Sequence, residues 1–186
     1  MSEHAVSTAR AGQSDGSPEA ISVHTLVALV NDRHGAVDRV VNILRRRRAN
    51  MRAFNVSPSE LEGVMRVTVV VDDSEVHVDQ LAEQLRKIVD VRHIVNLSSE
   101  QALARELALI KVNCMPATRA EIIELSHLFG AHALDIAAES IMLEVTGSEA
   151  KLGKLLALLQ PYGIREVARS GSVALAREDP SSSSPS

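Results

Sequence analysis

The hydrophobic pattern switches between strand-like and helix-like stretches along most of the chain. His24–Val30 is β-rich and stops at the polar run Asn31-Asp32-Arg33-His34-Gly35. From Ala36 to Arg48 the period changes. Val37, Val40, Val41 and Leu44 recur at helical spacing, and Asp38 sits in the first turn, where an anion complements the helix dipole. Asn50–Val56 predicts a second strand, Ser57–Gly63 a turn-rich connection, and Val64–Val71 a third strand of nearly unbroken apolar residues. Val76–Val89 predicts a helix with Val78, Leu81, Leu85 and Ile88 on one face and Ser74 as its N-cap. Val91–Leu97 predicts a fourth strand.

The second half repeats this order. Leu107–Cys114 predicts a strand. Thr118–Phe129 predicts a helix with Ile122, Leu125 and Leu128 inward and Thr118/Glu121 as a capping box. Ala131–Ala137 and Ile141–Thr146 predict two strands, Ser148–Gln160 a helix ended by Pro161, and Tyr162–Arg169 a last strand. A Ser-Glu pair opens the second helix of each half, at 74–75 and 148–149.

Two βαββαβ units in succession predict an α+β protein. Each unit is a ferredoxin-like antiparallel four-stranded sheet with its helices on one face. The units span 22–99 and 100–177. A disordered arm, 1–21, precedes them, and a disordered Ser/Pro tail, 178–186, follows. Val64–Val71 and Val91–Leu97 are apolar at almost every position, so both faces of these strands should be covered. A bare apolar face or edge would invite self-association.

Composition narrows the function. The 186 residues include two Phe, one Tyr and no Trp, so the core is Leu, Val, Ile and Ala. Base stacking on aromatic rings is thereby disfavoured. The net charge of −4 gives no overall basic field for nucleic acid or anionic lipid. The single cysteine, Cys114, allows no intramolecular disulfide and reads as a buried thiol. No apolar run approaches the ~18 residues of a membrane span. The first twenty residues carry charges and no apolar segment, which points to the cytoplasm.

No catalytic constellation emerges. The chain lacks a P-loop, GxGxxG, HExxH and GxSxG. No two of its seven His stand four apart on a predicted helix, so a metal site is not expected. The acidic pairs Asp72-Asp73 and Glu60/Glu62 fall in turn-like segments, where carboxylates cap and solvate. Arg45-Arg46-Arg47-Arg48 suits the negative end of a helix dipole; docking of an acidic partner or nucleic acid is the alternative. The stretch Asn31–Gly35 ends a strand and opens a helix. Its free N–H groups suit an anion such as a carboxylate, and Gly35 permits close approach of a ligand. A plain turn glycine is the competing reading.

Five segments, in order, resemble one family. They are Leu29–Val40, Asn50–Val56, Gln84–Val91, Arg105–Val112, and Ile164–Gly171 with Leu175 and Arg177. They are similar to the small, regulatory subunits of acetolactate synthase, which pair an N-terminal ACT domain with a C-terminal ACT-like domain. The resemblance implies a non-catalytic chain with no cofactor of its own. Thiamine diphosphate, Mg and FAD would belong to a catalytic large subunit that condenses pyruvate in branched-chain amino-acid synthesis. It also implies a homodimer through the ACT domains, stimulation of the large subunit, and feedback inhibition by an amino acid, valine being typical. A free-standing ACT-type sensor of another enzyme is the alternative.

Carried onto this sequence, the effector site comprises Asp32, His34, Gly35, Ala36, Val37, Asn50 and Met51. The backbone at His34, Gly35 and Ala36 would take the carboxylate. Asp32, with Asn50 of the neighbouring domain, would hold the ammonium, and Val37 and Met51 would border the side chain. Asp32, Arg48 and Arg52 stand where the family usually has Asn, Gly and Glu, and these departures bear on effector preference. At Arg48 a left-handed backbone would cost on the order of 1–2 kcal/mol.

Overall fold

The computed structural model describes residues 22–97 and 102–177. The first unit contains β1 (Val23–Asn31), α1 (Ala36–Arg46), β2 (Asn50–Pro58), β3 (Val64–Asp72), α2 (Val78–Arg86) and β4 (Val91–Leu97). The second contains β5 (Ala102–Asn113), α3 (Arg119–Leu128), β6 (His132–Ile136), β7 (Ser140–Gly147), α4 (Glu149–Leu159), β8 (Ile164–Arg169) and β9 (Val173–Ala176). A 3-10 turn, Gln160–Tyr162, takes the start of the strand expected from Tyr162. The expected arm 1–21, the tail 178–186 and the boundary between 99 and 100 lie outside the described residues.

The sheets run β2-β3-β1-β4 and β6-β7-β5-β8, with every neighbour antiparallel. This is the ferredoxin-like arrangement, twice. In the first unit Leu26, Ala28 and Val30 of β1 and Val67, Val69 and Val71 of β3 alternate inward. They pack under Val40 and Leu44 of α1 and Leu81 and Leu85 of α2. In the second, Ile110, Val112, Ile141 and Leu143 meet Ile122 of α3 and Leu152, Leu155 and Leu159 of α4. Burial of each such Leu or Ile contributes about 1.5–3 kcal/mol.

The duplication extends to irregularities. The β1–β4 register skips Arg92, and the β5–β8 register skips Arg165. Each bulged arginine donates through Nε to the side-chain oxygen of the Asn that ends the first strand, Asn31 or Asn113. The β2–β3 register skips Arg52, and the β6–β7 register skips Leu134. A bulge re-aims the extra side chain, so the two units place equivalent kinks at equivalent points.

Several local expectations are corrected. Ser74 does not cap α2, which starts at Val78 with His77 at the N-cap position. The Ser74 hydroxyl donates to Asp72 Oδ1 instead. Ser148 does cap α4, accepting from the Lys151 N–H at 3.3 Å. The Thr118 hydroxyl donates to the Met115 carbonyl at 3.2 Å and makes no cap bond. In α3 the inward face runs Ile122, Ser126, Phe129, at steps of four and three, so Leu128 points out and is 76% exposed. Ser126 tolerates burial because its hydroxyl donates to the Ile122 carbonyl at 2.7 Å.

The sequence pattern missed β9 and the first five residues of β5. Ala102–Arg105 pairs with Val173–Ala176 as a two-stranded ribbon. Its alternate residues Ala102 and Ala174 pack on Val27 and Leu97, on the helix-free face of the first sheet. The second unit thus covers the first unit's open face, and β3 is buried on both faces through Val67, Thr68, Val69 and Val70. At the sheet edge β4 departs from expectation, with Arg92 and His93 exposed.

Candidate functional site

The turn between β1 and α1 is held by backbone bonds at its outset. Asn31 N–H donates to the Asp90 carbonyl at 2.8 Å, and Asp32 N–H to the Gly63 carbonyl at 2.9 Å. Arg33 N–H returns to the Asn31 carbonyl at 2.9 Å, and Ala36 N–H to the Arg33 carbonyl at 3.0 Å. Beyond these, the N–H groups of His34, Gly35, Val37 and Asp38 have no acceptor among the described residues. They form the positive end of an 11-residue helix.

Gly35 sits at the N-cap with φ +76°, in the left-handed region, where a side chain would be strained. Asp32 and His34 are exposed and Val37 is half-buried. Asp32 also borders a hollow of about 320 Å³ whose other wall is the β2–β3 turn, with Ser57, Leu61 and Met65. Ala36 leaves the expected carboxylate cradle: its side chain is fully buried in the core and its N–H is already bonded. The remaining N–H groups can hold a carboxylate; nothing in the turn offers a nucleophile with an adjacent base.

Asn50 and Met51 are exposed, but they lie at the far end of the same sheet. Asn31 pairs with Val64 on β3, while Asn50 pairs with Asp72 on that strand. At about 3.3 Å per residue the separation is roughly 26 Å. One chain therefore cannot bring Asn50 to its own β1–α1 turn, and the seven expected site residues form two separate groups.

Asn50 instead belongs to a cluster around Asp72, which is 2% exposed. Asn50 Nδ2 donates to Asp72 Oδ2 at 2.8 Å, and Arg52 Nε reaches the same oxygen at 3.2 Å. The other oxygen, Oδ1, accepts the Ser74 hydroxyl at 2.5 Å and the Ser74 N–H at 3.3 Å. The hydroxyl of Ser74, with Arg52 beside it, holds the Asp72 carboxyl below the ordinary aspartate value. Sequence reasoning treated Asp72 as a solvated turn acid and Ser74 as a helix cap. The spacing Asp72-x-Ser74, which allows a side chain to bond the backbone two residues on, is the signal that could have found them.

The second unit's equivalent turn is built differently. Cys114 is buried, as expected. No glycine opens α3, and the Arg119 guanidinium reaches from its first turn to the β6–β7 connection, donating to the carbonyls of Ala137 and Ala138 at 3.1 and 3.0 Å. Between the units lies a cleft of about 670 Å³ lined by Phe54, Leu97, Arg52, Arg105, Arg169 and Arg177, among others. Arg169 grips Glu106 with two N–H donors, at 2.5 and 2.7 Å, and this pairing raises the guanidinium pKa above its usual range. Among the described residues no group of three His, Cys, Asp or Glu could hold a metal ion, and no helix is long and apolar enough to cross a membrane.

Comparison with known proteins places both units. A family model described as "AHAS small subunit-like ACT domain" matches residues 26–93, and one described as "Small subunit of acetolactate synthase" matches 105–178. The acetolactate synthase small subunit of Mycolicibacterium smegmatis is 40% identical over 164 residues, covering 88% of this chain and 94% of that one. That of Bacillus subtilis is 40% identical over 149 residues, covering 80% and 87%. The crystal structure of the acetolactate synthase small subunit from Thermotoga maritima superposes with a TM-score of 0.78 at 30% identity, covering 86% of this chain and 99% of that one. With both units matched in order and nearly the whole length of these relatives covered, the chain belongs to the acetolactate synthase small-subunit family.

Proposed function

We propose that this chain is a regulatory subunit that raises the activity of an acetolactate synthase catalytic large subunit and lowers it again when valine binds. The chemistry, pyruvate condensation with thiamine diphosphate, Mg and FAD, belongs to the large subunit. This chain's contribution is a binding equilibrium. The single observation that carries the effector site is the β1–α1 turn, where Gly35 opens a helix whose first N–H groups are unbonded. Those donors suit an amino acid's carboxylate.

The ammonium and side chain require the second group, Asn50 and Met51, roughly 26 Å away on the same chain. A second copy supplies it. The β2 edge is open, and its residues Asn50, Met51 and Val56 are exposed, so two ACT domains related by a twofold can set the turn of one against the β2 start of the other. Each effector then touches both copies, through His34, Gly35 and Val37 of one and Asn50 and Met51 of its partner. Asp32 adds an anion toward the ammonium. Valine inhibits by binding one arrangement of this dimer more tightly than the arrangement that stimulates the large subunit.

The test is acetolactate formation by the cognate large subunit, with and without this chain, across a valine titration. Stimulation that valine reverses is the expected result. Gly35→Asp, which puts an anion into the carboxylate cradle, should leave stimulation and abolish the valine response. A valine response that survives Gly35→Asp intact would remove the turn from the site. No stimulation at all would favour a free-standing ACT-type sensor of another enzyme.

A further inference from the structure

Asn50 carries an amide whose two ends do opposite things: its nitrogen donates and its oxygen accepts. Which end faces the effector decides whether Asn50 welcomes an ammonium or a carboxylate. Asp72 lies directly across the sheet from Asn50, is 2% exposed, and carries its charge on two oxygens that accept only. An ionised carboxylate cannot face the amide oxygen, so the amide must turn its nitrogen inward, as observed at 2.8 Å. The Asn50 oxygen is left with no partner among the described residues, on an exposed side chain. Arg52 on the adjoining bulge and Ser74 beyond the strand end supply further donors that keep Asp72 ionised and fixed.

We propose that Asp72 is a positioning residue for effector recognition: it locks the Asn50 amide so that its oxygen is presented to the ammonium of an α-amino acid. The proposal rests on the effector-site reading above, and it assigns that site's choice of an amine over other groups to a side chain that never touches the ligand. Ser74 and Arg52 act through Asp72.

The experiment is calorimetric titration of the full chain with L-valine, L-leucine and L-isoleucine. It is repeated with the 2-hydroxy acid of whichever binds, which has the same carbon skeleton and a hydroxyl in place of the ammonium. A hydroxyl can donate or accept, so it tolerates either amide orientation. Asp72→Asn, close in shape, removes the constraint. Binding of the amino acid should weaken about tenfold while binding of the hydroxy acid changes less than twofold. In an Asn50→Ala background Asp72→Asn should have no further effect, since the residue acts through Asn50. Equal weakening of both ligands, or an additive effect in that background, overturns the positioning role. If Asp72→Asn loses cooperative melting, Asp72→Ser, which is also neutral and also lifts the acceptor-only constraint on the Asn50 amide, replaces it and should shift the same ratio in the same direction; an unchanged ratio overturns the role. If the unaltered chain binds none of the three amino acids, the effector-site reading itself has failed, and the positioning role falls with it.

Discussion

Arg39 on α1 donates through Nε to Asp90 Oδ2 at 2.7 Å, and its Nη2 lies 2.5 Å from the same oxygen in an ion pair. The Asp90 side chain is 2% exposed, and its backbone carbonyl receives the Asn31 N–H. One residue ahead of β4 therefore pins both the end of β1 and the first turn of α1. The β1–α1 turn between them is held from both sides, so its open N–H groups keep a fixed geometry.

Removing the arginine tests that brace. Arg39→Ala leaves a buried carboxylate without its charge partner, which is costly in a dry site. Arg39 itself is 47% exposed, and solvent near its guanidinium reduces the loss to about 1–2 kcal/mol. Urea denaturation should show a lower midpoint by that amount, and valine affinity should fall with it. An unchanged midpoint would mean that backbone bonds alone hold the turn.

Arg48 is the one non-glycine with positive φ among the described residues, at 54°. The helix closes as a Schellman turn, with Ala49 N–H on the Leu44 carbonyl at 3.0 Å and Arg48 N–H on the Arg45 carbonyl at 3.1 Å. Leu44 is buried in the core and Ala49 packs against the same cluster, as that motif favours. The strain expected from the missing family glycine is thus present. Arg48→Gly should stabilise the chain by about 1 kcal/mol, read as a higher melting temperature. A decrease would mean that the arginine side chain makes a compensating contact.

The interface between the two units is a thin apolar layer in which Ala102 and Ala174 pack on Val27 and Leu97. Ala174 is 3% exposed and is surrounded by apolar side chains. Ala174→Glu should destabilise by about 2–4 kcal/mol, the cost of burying an unpaired polar group or of detaching the ribbon to avoid it. Calorimetry should then resolve two melting transitions where the parent chain gives one. A single unshifted transition would argue against the ribbon's packing.

Asp72 gives a pH prediction of definite sign. Its folded pKa lies below its ordinary value because Ser74 and Arg52 stabilise the ionised form. A depressed carboxyl contributes stability that is fully present above the unfolded value, about 3.9, and is lost as pH falls through the folded value. Ser74→Ala removes the largest of these causes, so the Asp72 carbon signal should titrate at higher pH. The acid-induced loss of stability still begins near the unfolded value, but it should be smaller and complete at higher pH than in the parent chain. A titration curve identical to the parent's would show that the hydroxyl is not a donor to Asp72 in solution.

Local periodicity determined a great deal. β1, β3 and β4 fall within a residue of their apolar runs, because a strand's inward residues alternate wherever the chain is cut. The helices follow their spaced Val and Leu for the same local reason, as does the order βαββαβ. The turn at Asn31–Gly35 was legible as a turn, since a polar run ending in glycine interrupts both the strand and the helix period. What the sequence could not disclose is everything that depends on a neighbour distant in the chain. The apolar pattern puts Leu128 on the inward stripe of α3 and Ser126 off it, and only the sheet beneath α3 reverses the two. Ala102 and Ala174 are too small to mark a strand, yet the open face of the first sheet selects them because backbones must approach closely there. Asp72 reads as a turn acid until β2 lies beside it, with Asn50 and Arg52 donating to an oxygen that water no longer reaches. Sequence identified the elements and the family; tertiary pairing alone decided which polar side chains are fixed, because a hydrogen bond across 22 residues is invisible to any local pattern.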